Sequence, residues 1–371
     1  LLGDLELLLL LVFSEAQPSF IFSWLSSNGY TYKATNRLIE LAKQDEMNGS
    51  REALKTLLYE KIQQLRLNLE IFSKKSETLM EIFTLTLLTA PIMLYSLGIF
   101  QPWLLPQITI VLMALNMLIL VLYSNLYPRE LRVMKLPRKM LPIVLYPALV
   151  TPIAKTLFPE IPLEKLLLIF LAISIPASIL IYRETRQITK ELQENLEILV
   201  KVSSSPFHVF SHLDPKLLKK DTKTELSKTV RIAVYLLGLW GSARAEKRGL
   251  AELKNIYEEI LKTLKEIRAR GTISALSNLV SLFLLGFSSS LITQLLSTLA
   301  SRDMLASLGI IIDPAQLYTW IELYLIYASI VYTLGLALLS LGSPSFYPLW
   351  LPLSILTTLA GLISGKKLLG W

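Results

Sequence analysis

The chain has no cysteine and only two histidines among its 371 residues. Without cysteine there is no disulfide framework, no thiol nucleophile and no thiolate metal site. Charge is scarce as well. Asp, Glu, Lys and Arg make up 18% of the chain, against about 25% in a soluble domain. The shortage is local: residues 82–154 and 271–365 hold almost no charge outside one short block, whereas 1–77 and 183–270 are charged throughout. That distribution excludes an ordinary soluble enzyme, a disordered tail and a disulfide scaffold. A phosphate-cradling loop is missing too. It would need Gly-x-x-x-x-Gly-Lys-Ser/Thr between a strand and a helix. The nearest string, Gly361-Leu-Ile-Ser-Gly365-Lys366-Lys367, has the wrong spacing and lacks the hydroxyl residue. The sequence therefore offers no energy source of its own and calls for no cofactor.

What is present is apolar: 53% of the residues are hydrophobic. A spanning helix needs about 20 mostly apolar residues. Residues 82–100, 103–127, 166–182, 271–301, 317–341 and 347–364 meet that need, the first two as a tight helical hairpin. Residues 140–158 carry Pro142, Pro147 and Pro152. Proline removes a helical hydrogen bond that lipid cannot replace, so this segment reads as a broken span buried among other helices or re-entrant. The expectation is about seven spans. The run 7–13 is too short to cross a bilayer and no basic region precedes it, so it reads as neither an anchor nor a signal peptide.

Orientation follows the Lys/Arg bias. Of 37 such residues, nine lie in 1–77, five in 128–139 and 18 in 183–270. These segments are expected in the cytoplasm, with short loops opposite. An odd span count then places Lys366 and Lys367 outside, against the bias.

The two polar portions are alike. Asp4-Leu-Glu-Leu-Leu matches Asn195-Leu-Glu-Ile-Leu, and each is followed by a small-residue turn with a proline, Ser14-Glu-Ala-Gln-Pro18-Ser-Phe and Ser203-Ser-Ser-Pro206-Phe-His-Val. Further on, Ala53-Leu-Lys-Thr-Leu-Leu-Tyr-Glu-Lys-Ile aligns with Glu252-Leu-Lys-Asn-Ile-Tyr-Glu-Glu-Ile-Leu at an offset of 199. Fixed-order self-similarity of this kind points to a duplicated helical unit. In the second copy Leu250, Leu253, Ile256, Ile260, Leu264 and Ile267 keep the spacing of one buried helical face, as do Leu54, Leu58, Ile62, Leu65, Leu69 and Phe72 in the first. Each unit reads as four helices, the last running without a breaker into a span. An unbroken helix over 51–98 would be about 70 Å long. The expected architecture is all-α: a polytopic α-helical membrane protein with two repeated cytoplasmic bundles. Its divisions are a first bundle over 1–77, membrane helices over 78–182, a second bundle over 183–270 and membrane helices over 271–371.

These features, with an amphipathic helix entering an apolar span through Thr89-Ala-Pro-Ile, resemble the type II secretion F domain of type IV pilus and secretion platform proteins. The proline-rich middle spans and terminal span pair are similar to the archaeal branch, which includes the archaellum platform. The resemblance covers 4–125 and 184–300. It implies a multi-pass platform in the inner, or cytoplasmic, membrane without enzymatic activity. Such a platform acts as a homodimer over a hexameric secretion ATPase and hands pilin- or archaellin-type subunits from the bilayer into a filament.

Candidate sites are few. His208 and His212 would share a helix face beside Asp214, but no Glu lies between them as in a zinc hydrolase; surface histidines are the expectation, and no metal site. Lys155 and Glu322 lie inside apolar stretches, where charge is costly. Both map near helix ends, where snorkelling to the interface is expected; the other readings are a mutual ion pair or a place on a subunit or ion pathway. Three basic clusters stand out: Lys216, Lys219, Lys220 and Lys223; Lys262, Lys265, Arg268 and Arg270; and the loop with Arg129, Arg132, Lys135, Arg138 and Lys139. The last two fit anchoring to anionic membrane lipid. The first lies far from any span in sequence and fits an acidic protein partner; through the resemblance, it and the 262–270 cluster become candidates for docking the ATPase. No aromatic residues alternate with these lysines, so nucleic acid is not an expected partner. A secondary transporter also uses repeats and broken spans, but here the repeats are polar bundles and the midplane lacks ionisable groups. An intramembrane enzyme would need a dyad that the spans do not contain.

Overall fold

The computed structural model of the protein describes residues 4–14, 16–29, 35–98, 104–127, 134, 136–158, 160–204, 209–212, 222–240, 243–301 and 314–368. Among these every regular element is a helix and none is a strand. The chain divides into two compact units, residues 1–71 with 185–264 and residues 72–184 with 265–371.

The first unit contains α1 (Asp4–Phe13), α2 (Pro18–Ser27), α3 (Asn36–Asn48) and the start of α4 (Glu52–Thr84). To these it adds the end of α8 (Leu163–Ser204), α9 (Val209–His212), α10 (Glu225–Trp240) and the start of α11 (Ala243–Ser301). Helix α1 explains why. Leu7 through Leu11 are all fully buried, and a helix that is apolar all round must be enclosed. It packs against α3 from the first polar segment and α10 from the second. The two polar segments were expected as two bundles; their residues cluster in one unit, because neither copy alone can cover α1. The expected faces on α4 and α11 are the buried ones: Leu54, Leu58, Ile62, Leu65 and Leu69, and Leu250, Leu253, Ile256, Ile260 and Leu264.

Helix ends in this unit are closed by charged side chains. Buried Asp45 accepts the backbone N–H groups of Leu54 (2.9 Å) and Ala53 (3.3 Å), the otherwise unsatisfied donors at the start of α4. Glu46 accepts from the backbone N–H and hydroxyl of Ser19 at the start of α2. Glu191 accepts from Lys223 N–H (2.8 Å) ahead of α10. At the end of α1, the Arg51 guanidinium donates to the carbonyls of Leu11, Ser14 and Ala16, a cation on the negative pole of a helix. The Ser14–Pro18 turn is held by that arginine.

The second unit is built around α12 (Pro314–Leu341). It packs against α6 (Leu105–Leu126), α7 (Leu141–Leu157), a 3-10 turn (Pro344–Leu349) and α13 (Leu351–Leu368). Among the described residues five helices are long and apolar enough to cross a membrane: Glu52–Tyr95, Leu105–Leu126, Leu163–Ser204, Lys247–Leu295 and Thr319–Leu341. The protein is thus a helical membrane protein. The apolar window of the last is 83% buried, against 33–38% for the other four, which leave most of that surface to lipid. Two further expected spans are present as shorter helices: α7, with 17 residues and its prolines, and α13, whose 18 residues include Lys366 and Lys367.

The expected unbroken helix over 51–98 has one irregularity. Between α4 and α5 (Ala90–Gly98) lies a π-turn, Leu85–Thr89. Pro91 has no N–H to give the Leu87 carbonyl four residues back. The Tyr324 hydroxyl of α12 donates to that carbonyl instead, at 2.8 Å. Tyrosine hydroxyls donate to other helix carbonyls too, where no proline removes the N–H four residues on: Tyr347 to Val144 (2.6 Å), Tyr327 to Met113 (2.7 Å) and Tyr123 to Ser76 (2.6 Å). Helices α11 and α13 approach closely where a side chain on Gly286 would come within 2.5 Å of the Thr358 carbonyl. Gly342, at φ +71°, ends α12 in the left-handed region that a side chain disfavours.

Candidate functional site

In the second unit a groove of about 700 Å³ lies between α4 with its π-turn and α11. Ser76, Met80, Ile267 and Leu339 are buried along it. Glu77, Glu81, Leu85 and Thr89 edge one wall; Arg270 and Ile273 edge the other, all exposed. The side-chain amide of Asn278 donates to the Thr84 hydroxyl across the gap at 3.0 Å. Glu77 and Glu81 fall four apart on α4, hence on one face, and neither has an ion-pair or hydrogen-bond partner among the described residues. π-Turns concentrate at functional positions because they re-aim side chains and free carbonyls; here Leu85 and Thr89, its two ends, both stand on the groove edge.

A second cluster joins four helix ends. Lys155 Nζ lies 2.6 Å from Glu322 Oε2 and donates to the Ile161 carbonyl at 3.0 Å. The Lys155 side chain is only 2% exposed. Snorkelling was the expectation for this lysine; the ion pair overturns it, because the loop after α7 and helix α12 supply an anion and a carbonyl that a lipid interface would otherwise have to replace. Lys366 pairs with Glu164, and the Glu322 carboxylate feels both of those charges. Two cations and two anions therefore meet at one end of the unit, from α7, α8, α12 and α13. Lys366 is thereby placed beside the loop that precedes α8.

The basic candidates are not brought to one place. Lys216, Lys219, Lys220, Arg129, Arg132 and Lys135 lie outside the described residues, as do His208 and Asp214. The Lys223 ammonium donates to Gln187. Lys262, Lys265 and Lys139 are exposed. Arg268 donates to Met134 Sδ at 3.4 Å, so the 262–270 cluster touches the segment containing the 128–139 loop. Arg270 alone borders the groove. Sequence reasoning missed Glu77, Glu81, Thr84 and Asn278. In the sequence Glu77 and Glu81 are two carboxylates four apart on a charged helix and carry no further signal.

No family model, curated protein or solved structure matches this chain.

Proposed function

We propose that the chain is a membrane platform for assembling a type IV pilus-like or archaellum filament, coupling a hexameric secretion ATPase to the insertion of membrane-held subunits. The observation that carries this reading is continuity. Helices α4, α8 and α11 each belong to both compact units, so a push on the polar unit reaches the membrane unit along three rods without a loop between. A soluble unit of this size that served only as an anchor would need no such continuity. On this reading the protein sits in the cytoplasmic membrane, as a homodimer, with its duplicated polar unit in the cytoplasm. It makes seven crossings, α7 and α13 included, and catalyses no reaction itself. Pairing of Lys366 with Glu164 supports an external end for α13, since a neutralised lysine weakens the bias that would hold it inside.

The test is hydrolysis by a purified secretion ATPase, with and without this protein in nanodiscs. Stimulation is expected, and loss of it when Lys216, Lys219, Lys220 and Lys223 are changed to Glu. Absence of both binding and stimulation overturns the reading. A secondary transporter is the second reading, favoured by the buried Lys155–Glu322 pair. Solute uptake into proteoliposomes that Glu322→Gln abolishes would install it in place of the platform.

A further inference from the structure

We propose that the groove between α4 and α11 binds a single zwitterionic aminophospholipid. Its phosphate sits at Arg270, its ammonium at Glu77 and Glu81, and one chain lies along the apolar floor. Only the crossing of a membrane by both helices is needed, not the platform reading.

Polarity along the groove changes with depth. Helices α4 and α11 enter the second unit at Phe72 and Lys265, and Glu77 and Arg270 stand equally far past those entries. Further in, the Asn278 amide donates to the Thr84 hydroxyl, so the two walls keep that register. Charged groups thus stand at the mouth, ahead of Met80, Leu85, Ile273 and Leu339. From Glu81 to Thr89 the wall runs on for about 12 Å at helical rise, into the apolar part of the span. Thr84 accepts from Asn278, and its own O–H has no acceptor among the described residues; the glycerol oxygens of a phospholipid lie at that depth below its phosphate. A volume of about 700 Å³ is that of a small-ligand site, enough for a headgroup and part of one chain. Leu85 is 60% exposed and Ile273 68%. On membrane-crossing helices such residues face lipid, so an amphiphile enters sideways from the bilayer.

Charge then selects among amphiphiles. The turns that lead to the groove carry Lys74, Lys75, Lys265 and Arg268. With Arg270 these outnumber the carboxylates of Glu77, Glu81 and Glu266, so the mouth disfavours a net positive occupant and gathers lipid phosphate. Arg270 presents a planar fork of five N–H donors, which suits a phosphate alongside any other partner. A headgroup with negative charge alone, however, lies against Glu77 and Glu81. Glu77 stands level with Arg270 yet takes no ion pair among the described residues, so the walls do not close on each other there. A phosphate followed by a primary ammonium gives each wall a partner: oxygens for the guanidinium, and three N–H donors for the carboxylates. A quaternary ammonium has no N–H, and a glycerol headgroup has no positive charge. Exposed ion pairs contribute little each, so the headgroup contacts set preference while chain burial supplies adhesion.

The lack of native cysteine lets a single label report the site. Ile273→Cys carries a small fluorophore in the full chain, in phosphatidylcholine vesicles, and phospholipids with brominated chains are the quenchers. A label at Leu118→Cys, exposed on α6, is the control. Brominated phosphatidylethanolamine is expected to half-quench the Ile273→Cys label at about one-fifth of the mole fraction that brominated phosphatidylcholine needs, the ratio two exposed ion pairs supply. Brominated phosphatidylglycerol is expected between them, and all three should quench Leu118→Cys alike. Glu77→Gln with Glu81→Gln is expected to erase the preference for ethanolamine over choline. Arg270→Gln should bring phosphatidylethanolamine down to the level of brominated diacylglycerol, which has no phosphate. All three side chains are exposed, so the variants keep their fold, which circular dichroism checks. Four results would overturn the proposal: equal quenching by ethanolamine and choline lipids at Ile273→Cys, phosphatidylglycerol ahead of phosphatidylethanolamine, the same preference at Leu118→Cys, or a preference that survives the paired Gln variant. Displacement of the brominated lipid by soluble glycerophosphoethanolamine would overturn it too, by making a free phosphodiester the ligand.

Discussion

The two units hold their helix backbones with different side-chain chemistry. In the first, carboxylates of Asp45, Glu46 and Glu191 and the guanidinium of Arg51 take the free N–H and C=O groups. In the second, the hydroxyls of Tyr123, Tyr324, Tyr327 and Tyr347 donate to carbonyls within helices, as that of Tyr257 does to Leu192 in the first. Water explains the difference. Glu46 and Glu191 stay half-exposed and partly hydrated, buried Asp45 is held by two backbone N–H groups, and charge-assisted bonds are the stronger ones. Within a bilayer an isolated charge is expensive, while an unmet carbonyl is expensive too. A neutral donor on an apolar ring answers both costs. Lys155, the one buried lysine among the described residues of the second unit, is paired and bonded to a carbonyl as well.

The comparison can be broken at its exception first. Lys155→Ala leaves Glu322 without its cation, and removing one partner of a buried pair costs about 3 kcal/mol. The expected result is a large fall in thermal midpoint in detergent, most of it restored by adding Glu322→Gln. Next, Asp45→Ala strips the start of α4 of its acceptor and is expected to cost about 2 kcal/mol. Because Asp45 belongs to the first unit, hydrogen exchange should quicken there before it does around α12. Third, Tyr324→Phe removes one neutral bond and is expected to cost about 1 kcal/mol. Pro91→Ala would return an N–H to the turn, so Tyr324→Phe should cost less in that background; a double-mutant cycle reads the coupling. An unchanged cost would deny that the tyrosine stands in for the proline's missing donor. The smallest effect is expected at Arg37, whose pair with Glu60 is exposed on both sides; Arg37→Ala should shift stability by less than about 0.5 kcal/mol.

Periodicity made the helices legible because each buries a stripe: the spacing at Leu250–Leu264 placed α11 correctly. What the leucines of α1 bury against was not legible. Only packing of α1 on both repeats shows one unit where two bundles were expected. The π-turn was hidden as well, since Pro91 announces a missing bond but not the partner that replaces it, and Tyr324 lies more than 200 residues away. Lys155 and Glu322 were flagged as costly, yet their remedy depended on the loop after α7. Lys366 read as an anomaly of orientation until Glu164 was found beside it. Glu77 and Glu81 carried no signal beyond ordinary helix charge, because a groove is made by two helices and neither sequence segment contains it alone.

The central claim is that motion passes along helices shared by both units. The direct measurement is filament assembly, with ATPase stimulation in parallel, after inserting Gly-Gly between Ile71 and Phe72 and between Leu264 and Lys265, where α4 and α11 pass from one unit to the other. Stimulation that persists while assembly is lost is the predicted result. Assembly at the unmodified rate through the softened helices would contradict the account.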